Sequence, residues 1–312
     1  MIRIQYHPEL VEQSVWHAVR RDAVTENGLH SVLDPLYELP KGEDREALFR
    51  KAFVAWFTRL KLDRFLDELL ACFPRIVEQV EEGVVRTAPK RRSEGAELFV
   101  RHDADTPCQT LVIQLCPESI VDPGASRDAM LRELQHVDDM LDEAFGYVPE
   151  SIDGLPSRQQ VVRDRYRILW DVRVEAALLS RDLLARQGES RLRSRFQRAF
   201  TIAGKEPQPG LFDDVLEREA ATHAQLMEWA KNPREWLPGS TGQPFADSSG
   251  SPGASCPTCR FPTYDWYAPT TPWDVAVLSS IRESAPDWTP DDGICRQCAE
   301  TFLSLAAQQT CG

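Results

Sequence analysis

Four of the eight cysteines fall into two Cys-x-x-Cys pairs near the C-terminus, CPTC at 256–259 and CRQC at 295–298. Two residues between cysteines let the backbone turn so that both sulfurs face one ion, and two such turns complete a tetrahedral tetrathiolate. Cys256, Cys259, Cys295 and Cys298 are therefore the expected ligands of a structural zinc, which four thiolates leave without an open position for chemistry. Between the pairs lie Arg260 to Ile294, longer than the compact spacing of such sites. The reading for this gap is a two- or three-stranded insert whose Tyr264, Trp266, Tyr267, Trp273 and Trp288 form a miniature core too small to fold without its metal. A redox dithiol is the competing chemistry, but that motif stands singly at the start of a helix in an α/β unit. Cys72, Cys108, Cys116 and Cys311 are scattered and read as free thiols in a reducing compartment.

The second constellation is RELQH, residues 132–136, on a helix predicted over 126–145 and preceded by a predicted strand, CQTLVIQL. Over roughly residues 97–180 this resembles the zincin metallopeptidases, in which a strand leads into a helix carrying His-Glu-x-x-His. The resemblance implies Glu133 as candidate general base and His136 as the second histidine. It also calls for a downstream ligand. Asp139 lies one turn beyond His136, and Asp171 and Glu175 lie four apart on one face of the next predicted helix. Arg132 stands where the first histidine belongs, and a guanidinium keeps its proton, offers no lone pair and repels a dication.

Three readings follow. In a degenerate zincin, Arg132 pairs with Asp139, Asp171 or Glu175 and the ordinary hydrolytic site is lost. In a plain structural helix, Glu-x-x-His has arisen by chance. In a metallohydrolase, His136 and carboxylates hold a metal with altered ligands. A ferritin-like form of the last needs a second Glu-x-x-His, whereas Glu219 and His223, like Glu26 and His30, are four apart. The C-terminal residues 254–309 resemble zinc ribbons.

Other constellations are weak. His102, Asp103 and Asp105 in RHDAD could form a divalent-metal trio, although a loop between strands explains them as well. There is no Gly-x-Ser-x-Gly elbow, no dinucleotide fingerprint and no Walker loop, since AGKEP at 203–207 lacks the flanking pattern.

These residues need elements to position them. Apolar spacing of three and four predicts helices through most of 8–85, including RFLDELLACFPRIVEQVEEGV. TAPKRRSEG, with Lys90, Arg91 and Arg92, is a polar breaker. AELFVRHD and CQTLVIQLCP read as strands, with MIRIQY a candidate third. Further helices are expected over 157–186, 190–202 and 210–231. Arg191, Arg193, Arg195 and Arg198 make the second of these basic, a charged solvent face or a dock for an acidic partner.

The fold class is thus α+β, mainly helical. Residues 1–95 form an N-terminal helical region, 96–236 a zincin-like strand and helix core, 237–255 a Gly, Ser and Pro linker, and 256–312 a zinc ribbon. The 312 residues carry a net charge of -13, which argues against nucleic acid as the main partner and leaves protein as the expected one. MIRIQYHPEL lacks the pattern of a secretory signal and no apolar run is long enough to span a bilayer, so the expected location is the cytoplasm, off the membrane. The function these residues imply is a zinc-binding, non-catalytic protein of metallopeptidase-like descent, with a peptidase-like metallohydrolase around His136 as the alternative.

Overall fold

The computed structural model describes residues 2–101, 108–149, 152, 156–185, 189–201, 210–218, 220–233, 254–263, 265–267, 273–286 and 288–309. The RHDAD trio, AGKEP, Glu219, Tyr264, Cys311 and most of the 237–255 linker lie outside them. The chain divides into two compact units, Met1–Tyr147 with Ala177–Leu184, and Val148–Ala176 with Ala185–Gly312. It is mainly helical with a small mixed sheet, as an α+β class requires. No helix among the described residues is long and apolar enough to cross a membrane.

The first unit holds a four-stranded sheet of β1 (Arg3–Tyr6), β2 (Glu82–Thr87), β3 (Gly95–Arg101) and β4 (Cys108–Leu115), in the order β1-β2-β4-β3. β1, β2 and β4 are parallel, and β3 runs antiparallel to β4 at the edge. Parallel neighbours need a long return path. Between β1 and β2 it is made by α1 (Pro8–Val19), α2 (Ala23–Tyr37), α3 (Glu43–Arg59), α4 (Arg64–Leu70) and α5 (Pro74–Gln79). In β4, Leu111, Ile113 and Leu115 are buried and their neighbours only partly so, the period of two that fixes one face on the core. Val84 pairs with Gln5 on one side and Val112 on the other, and Glu97 lies opposite Val112.

The strand β2 corrects the helical reading of 8–85. Pro74 opens a new helix after Phe73, splitting the expected long helix into α4 and α5, and the chain is extended from Val80 onward. Gly83, Val84 and Val85 are poor helix formers, and a Cβ at Gly83 would lie 2.5 Å from the Ile4 side chain of the neighbouring strand. Pairing with strands on both sides outweighs the apolar periodicity.

After β4 come α6 (Pro117–Val121) and α7 (Arg127–Leu141). Met130, Leu131, Leu134, Val137 and Leu141 bury one side of α7, which packs against β3, α4 and α5. The helix stops at Leu141, short of the expected 145, where Phe145 and Gly146 donate back to the Asp142 carbonyl and Gly146 takes a left-handed φ of 67°. Arg75 of α5 pairs with Asp138 at 2.5 Å and Asp142 at 3.4 Å. Arg181 donates to Gln135 Oε1 at 3.1 Å, and Gln135 donates to Asp139 Oδ1 at 2.9 Å.

The second unit contains most of α8 (Pro156–Ser180), then α9 (Glu189–Phe200), α10 (Leu211–Leu216), α11 (His223–Lys231), α12 (Val275–Ser284) and α13 (Arg296–Gln309), with the short strands β5 (Ala254–Ser255) and β6 (Pro262–Thr263). Two arginines of the basic helix α9 turn to their own chain, correcting the solvent-face reading: Arg193 pairs with Asp213 at 2.6 Å and Arg195 with Asp171 at 2.9 Å. The expected helix over 210–231 is two, because Thr222 and Gln225 form a capping box that starts α11 afresh. The expected stranded insert between the cysteine pairs contains the helix α12, whose start Asp274 caps by accepting from Ala276 N at 2.9 Å and whose Val277 and Ile281, one turn apart, are buried.

Burial raises the pKa of Asp138 while the Arg75 guanidinium opposes it. Replacing Arg75 strands a buried carboxylate, and a raised acid costs stability as pH climbs through its folded pKa. Arg75→Ala should lose about 1–3 kcal/mol at pH 7 by urea unfolding. The loss should shrink at acid pH, where Asp138 is protonated in both states; an equal loss at both pH values would refute the pairing.

Candidate metal centre

The first cysteine pair sits on the β5–β6 hairpin, in which Ala254 pairs with Thr263 and Ser255 with Pro262. The turn is closed by Arg260 N donating to Cys256 O at 2.7 Å and Cys256 N donating to Phe261 O at 2.9 Å. Arg260 accepts a left-handed φ of 63° to complete it. The second pair opens α13, so the module is a hairpin knuckle joined to a helix start. Three contacts seat that start on the hairpin side. Trp266 bridges Cys295 in antiparallel fashion, Tyr267 N donates to Ile294 O at 2.9 Å, and Asp265 accepts from Arg296 through its carbonyl (2.9 Å) and its carboxylate (2.9 Å).

Behind the cysteines lies a small core of Val277, Ile281, Trp288, Ile294 and Phe302. Trp288 is buried and satisfies its indole N–H on Gly293 O at 2.8 Å, while Trp273 meets it edge-on at 6.0 Å. The aromatics Tyr267, Trp273 and Trp288 thus contribute to one small core, as expected, although from irregular segments rather than from strands.

The ligand atoms of Cys256, Cys259, Cys295 and Cys298 all lie within 4.8 Å of one another. Cys259 and Cys295, from different pairs, have sulfurs 3.9 Å apart. A tetrahedron with zinc–sulfur bonds of ~2.3 Å has edges of about 3.8 Å, whereas a disulfide needs ~2.05 Å. The arrangement fits a tetrahedral ion and leaves all four thiols unbridged.

The electrostatics are those of a site that wants a cation. Burial works against ionising Cys256, but backbone N–H groups of Cys295, Cys259 and Thr258 outweigh it and bring the thiol down to about 7. Burial raises Cys295, with a contribution from the neighbouring Cys256. Burial and hydrogen bonds with Cys295 and Cys259 push Cys298 up further. Cys256 is therefore the readiest thiolate, and Cys295 and Cys298 resist joining it until a dication offsets their charge.

The zincin-like residues are placed as follows. Arg132 donates to the Asp128 carbonyl one turn back at 3.2 Å. Glu133, partly buried, lies against Gly95 of β3, where a Cβ would come within 3.7 Å of Glu133 Oε2. His136 is partly buried on the same helix, and Asp139 is buried under Gln135. Asp171 and Glu175 belong to the second unit, with Asp171 paired to Arg195 and Glu175 buried. Among the described residues, the four cysteines are the group of three or more His, Cys, Asp or Glu side chains close enough to share an ion. The Arg75, Asp138, Gln135 and Arg181 network was not legible in the sequence, because its partners are 46 to 63 residues apart. Asp265 was not legible either: it carries no motif, and its carboxylate holds Arg296, 31 residues away.

No family model, curated protein or solved structure matches the chain.

Removing the metal with a strong chelator should abolish hydrogen-exchange protection over α12 and α13 while β2 and β4 stay protected. Acidification should release the metal as the thiolates take up protons. Unchanged protection in α13 after complete metal removal would show that the small core folds without an ion.

Proposed function

We propose that this chain is a zinc-binding protein whose four-cysteine centre is structural, and that it acts through contacts with other proteins rather than through catalysis. The observation that carries this is the closed set of four sulfurs with a tetrahedral edge of 3.9 Å between the two pairs. Thiolate ligands and tetrahedral spacing favour zinc, and a fourth sulfur occupies the position that a reacting water would need. The net charge of -13 supports a protein partner over a phosphate backbone.

The strand and helix core over 96–236 is proposed to descend from a zincin-like metallopeptidase. Support comes from the order of β4 and α7 in the chain, with Glu133 and His136 at the base and second-histidine positions, and from Arg132 at the position of the missing ligand. A guanidinium there replaces a metal-binding lone pair with a fixed positive charge.

Metal analysis of the purified chain tests the reading. About one zinc per chain is expected for a single tetrathiolate, and Cys256→Ser with Cys295→Ser should remove it. Two zinc ions in the wild-type chain, with one surviving the cysteine replacements, would overturn the non-catalytic reading in favour of a hydrolase centred on His136. Arg132→His should gain a second zinc site if the zincin descent is right, and a failure to gain one in the folded variant would count against it.

A further inference from the structure

A cavity of about 570 Å³ opens in the first unit between α1, α3 and the turn joining α2 to α3. That volume lies within the range of small-molecule sites. One wall is aromatic: the Tyr37 and Phe49 rings lie 4.9 Å apart and tilted by 58°. The Arg45 guanidinium stands 5.8 Å from the first ring centroid and 5.6 Å from the second. Buried Val11 and Phe53 line it deeper, while Tyr37 is 57% exposed and Val54 55% exposed, large apolar surface left to water at its edge.

The charges around this cavity differ from those of the chain. Lys41, Arg45 and Arg50 line it together with Glu12 and Glu46, a local excess of one positive charge in a protein of net charge -13. Glu46 and Arg50 are one helical turn apart on α3, the spacing of a helical ion pair. Among the described residues, no ion pair or side-chain hydrogen bond engages either of them or Lys41. Two cations at an aromatic-walled cavity are thus left without a direct ion pair, although Glu12 and Glu46 line the same cavity.

The two features restrict the ligand. Arg45 already presents a cation to both rings, so a cationic ligand would meet three positive side chains. Glu12 and Glu46 disfavour a multiply charged anion, since the excess of positive charge is one. We propose that this cavity is a binding site for a small aromatic monocarboxylate, its ring against Tyr37 and Phe49 and its carboxylate on Lys41 and Arg50. The site is separate from the cysteine centre and does not rest on the zinc reading.

Isothermal titration calorimetry of the metal-loaded 312-residue chain with phenylacetate tests it. Saturable binding at a Kd of about 1 mM or tighter is expected for a ligand of this size. Phenylacetamide, which keeps the ring and loses the charge, should bind about tenfold more weakly, as should phenylacetate to the Lys41→Ala/Arg50→Ala variant. Both replaced side chains are exposed, so the variant should keep the wild-type melting temperature. Phe49→Ala should weaken acid and amide alike. The proposal is overturned by absence of saturation up to about 10 mM phenylacetate, by equal binding of acid and amide, or by an unaffected double variant. Tighter binding of phenyl phosphate than of phenylacetate would overturn the assignment of a single negative charge.

Discussion

Gathering four sulfur atoms, two of them from buried and two from half-buried cysteines, into a space under 5 Å across is the constraint on which the C-terminal module depends. Like charges packed this closely repel one another, so a set of thiolates here is electrostatically unfavourable without a counter-ion and strongly favourable with one. The surrounding elements serve that convergence. A hairpin delivers one pair, the start of α13 delivers the other, and Asp265, Trp266 and Tyr267 tie the two together. The hydrophobic core behind them is a handful of side chains, with Trp288 and Phe302 the largest, and a core of that size rarely stabilises a fold alone.

The first unit rests on a different balance. Its sheet is mostly parallel and closed at one edge by an antiparallel strand, and α7 packs on it through an apolar side while carrying buried carboxylates on another. Arg75 reaches Asp138 and Asp142 directly from α5, while Arg181, from beyond α8, holds the Gln135 amide that in turn donates to Asp139. Arg132 adds a further permanent cation to the helix whose sequence resembles a metal-binding one. The proposed descent from a zincin and loss of its ordinary site draw on the same physical fact: a guanidinium can occupy a space among carboxylates but cannot ligate a metal.

Charge is distributed in the same spirit elsewhere. The arginine-rich helix α9 reads as a docking surface in a linear sequence, yet Arg193 and Arg195 are neutralised by Asp213 and Asp171 of the same chain. The excess of positive charge at the aromatic cavity is notable because Lys41 and Arg50 are not neutralised in this way. Net charge alone would have suggested neither.

The sequence by itself determined what depends on local spacing. The two Cys-x-x-Cys turns, the alternation in CQTLVIQL and the apolar repeat of α7 are encoded within a few residues, and each corresponds to a hairpin knuckle or helix start, a central strand and a packed helix. Only the tertiary structure decided the rest. EGVVRT follows a helical pattern and becomes a strand because β1 and β4 offer it partners on both sides. The insert between the cysteine pairs carries the helix α12 beside the short strand β6, where strands alone were expected, because Asp274 caps a helix start whose Val277 and Ile281 are buried in the core. Whether an arginine faces water or a carboxylate, and whether four cysteines spread over residues 256–298 share one point, are set by contacts between distant segments, and a linear pattern carries no information about those until the chain has closed on itself.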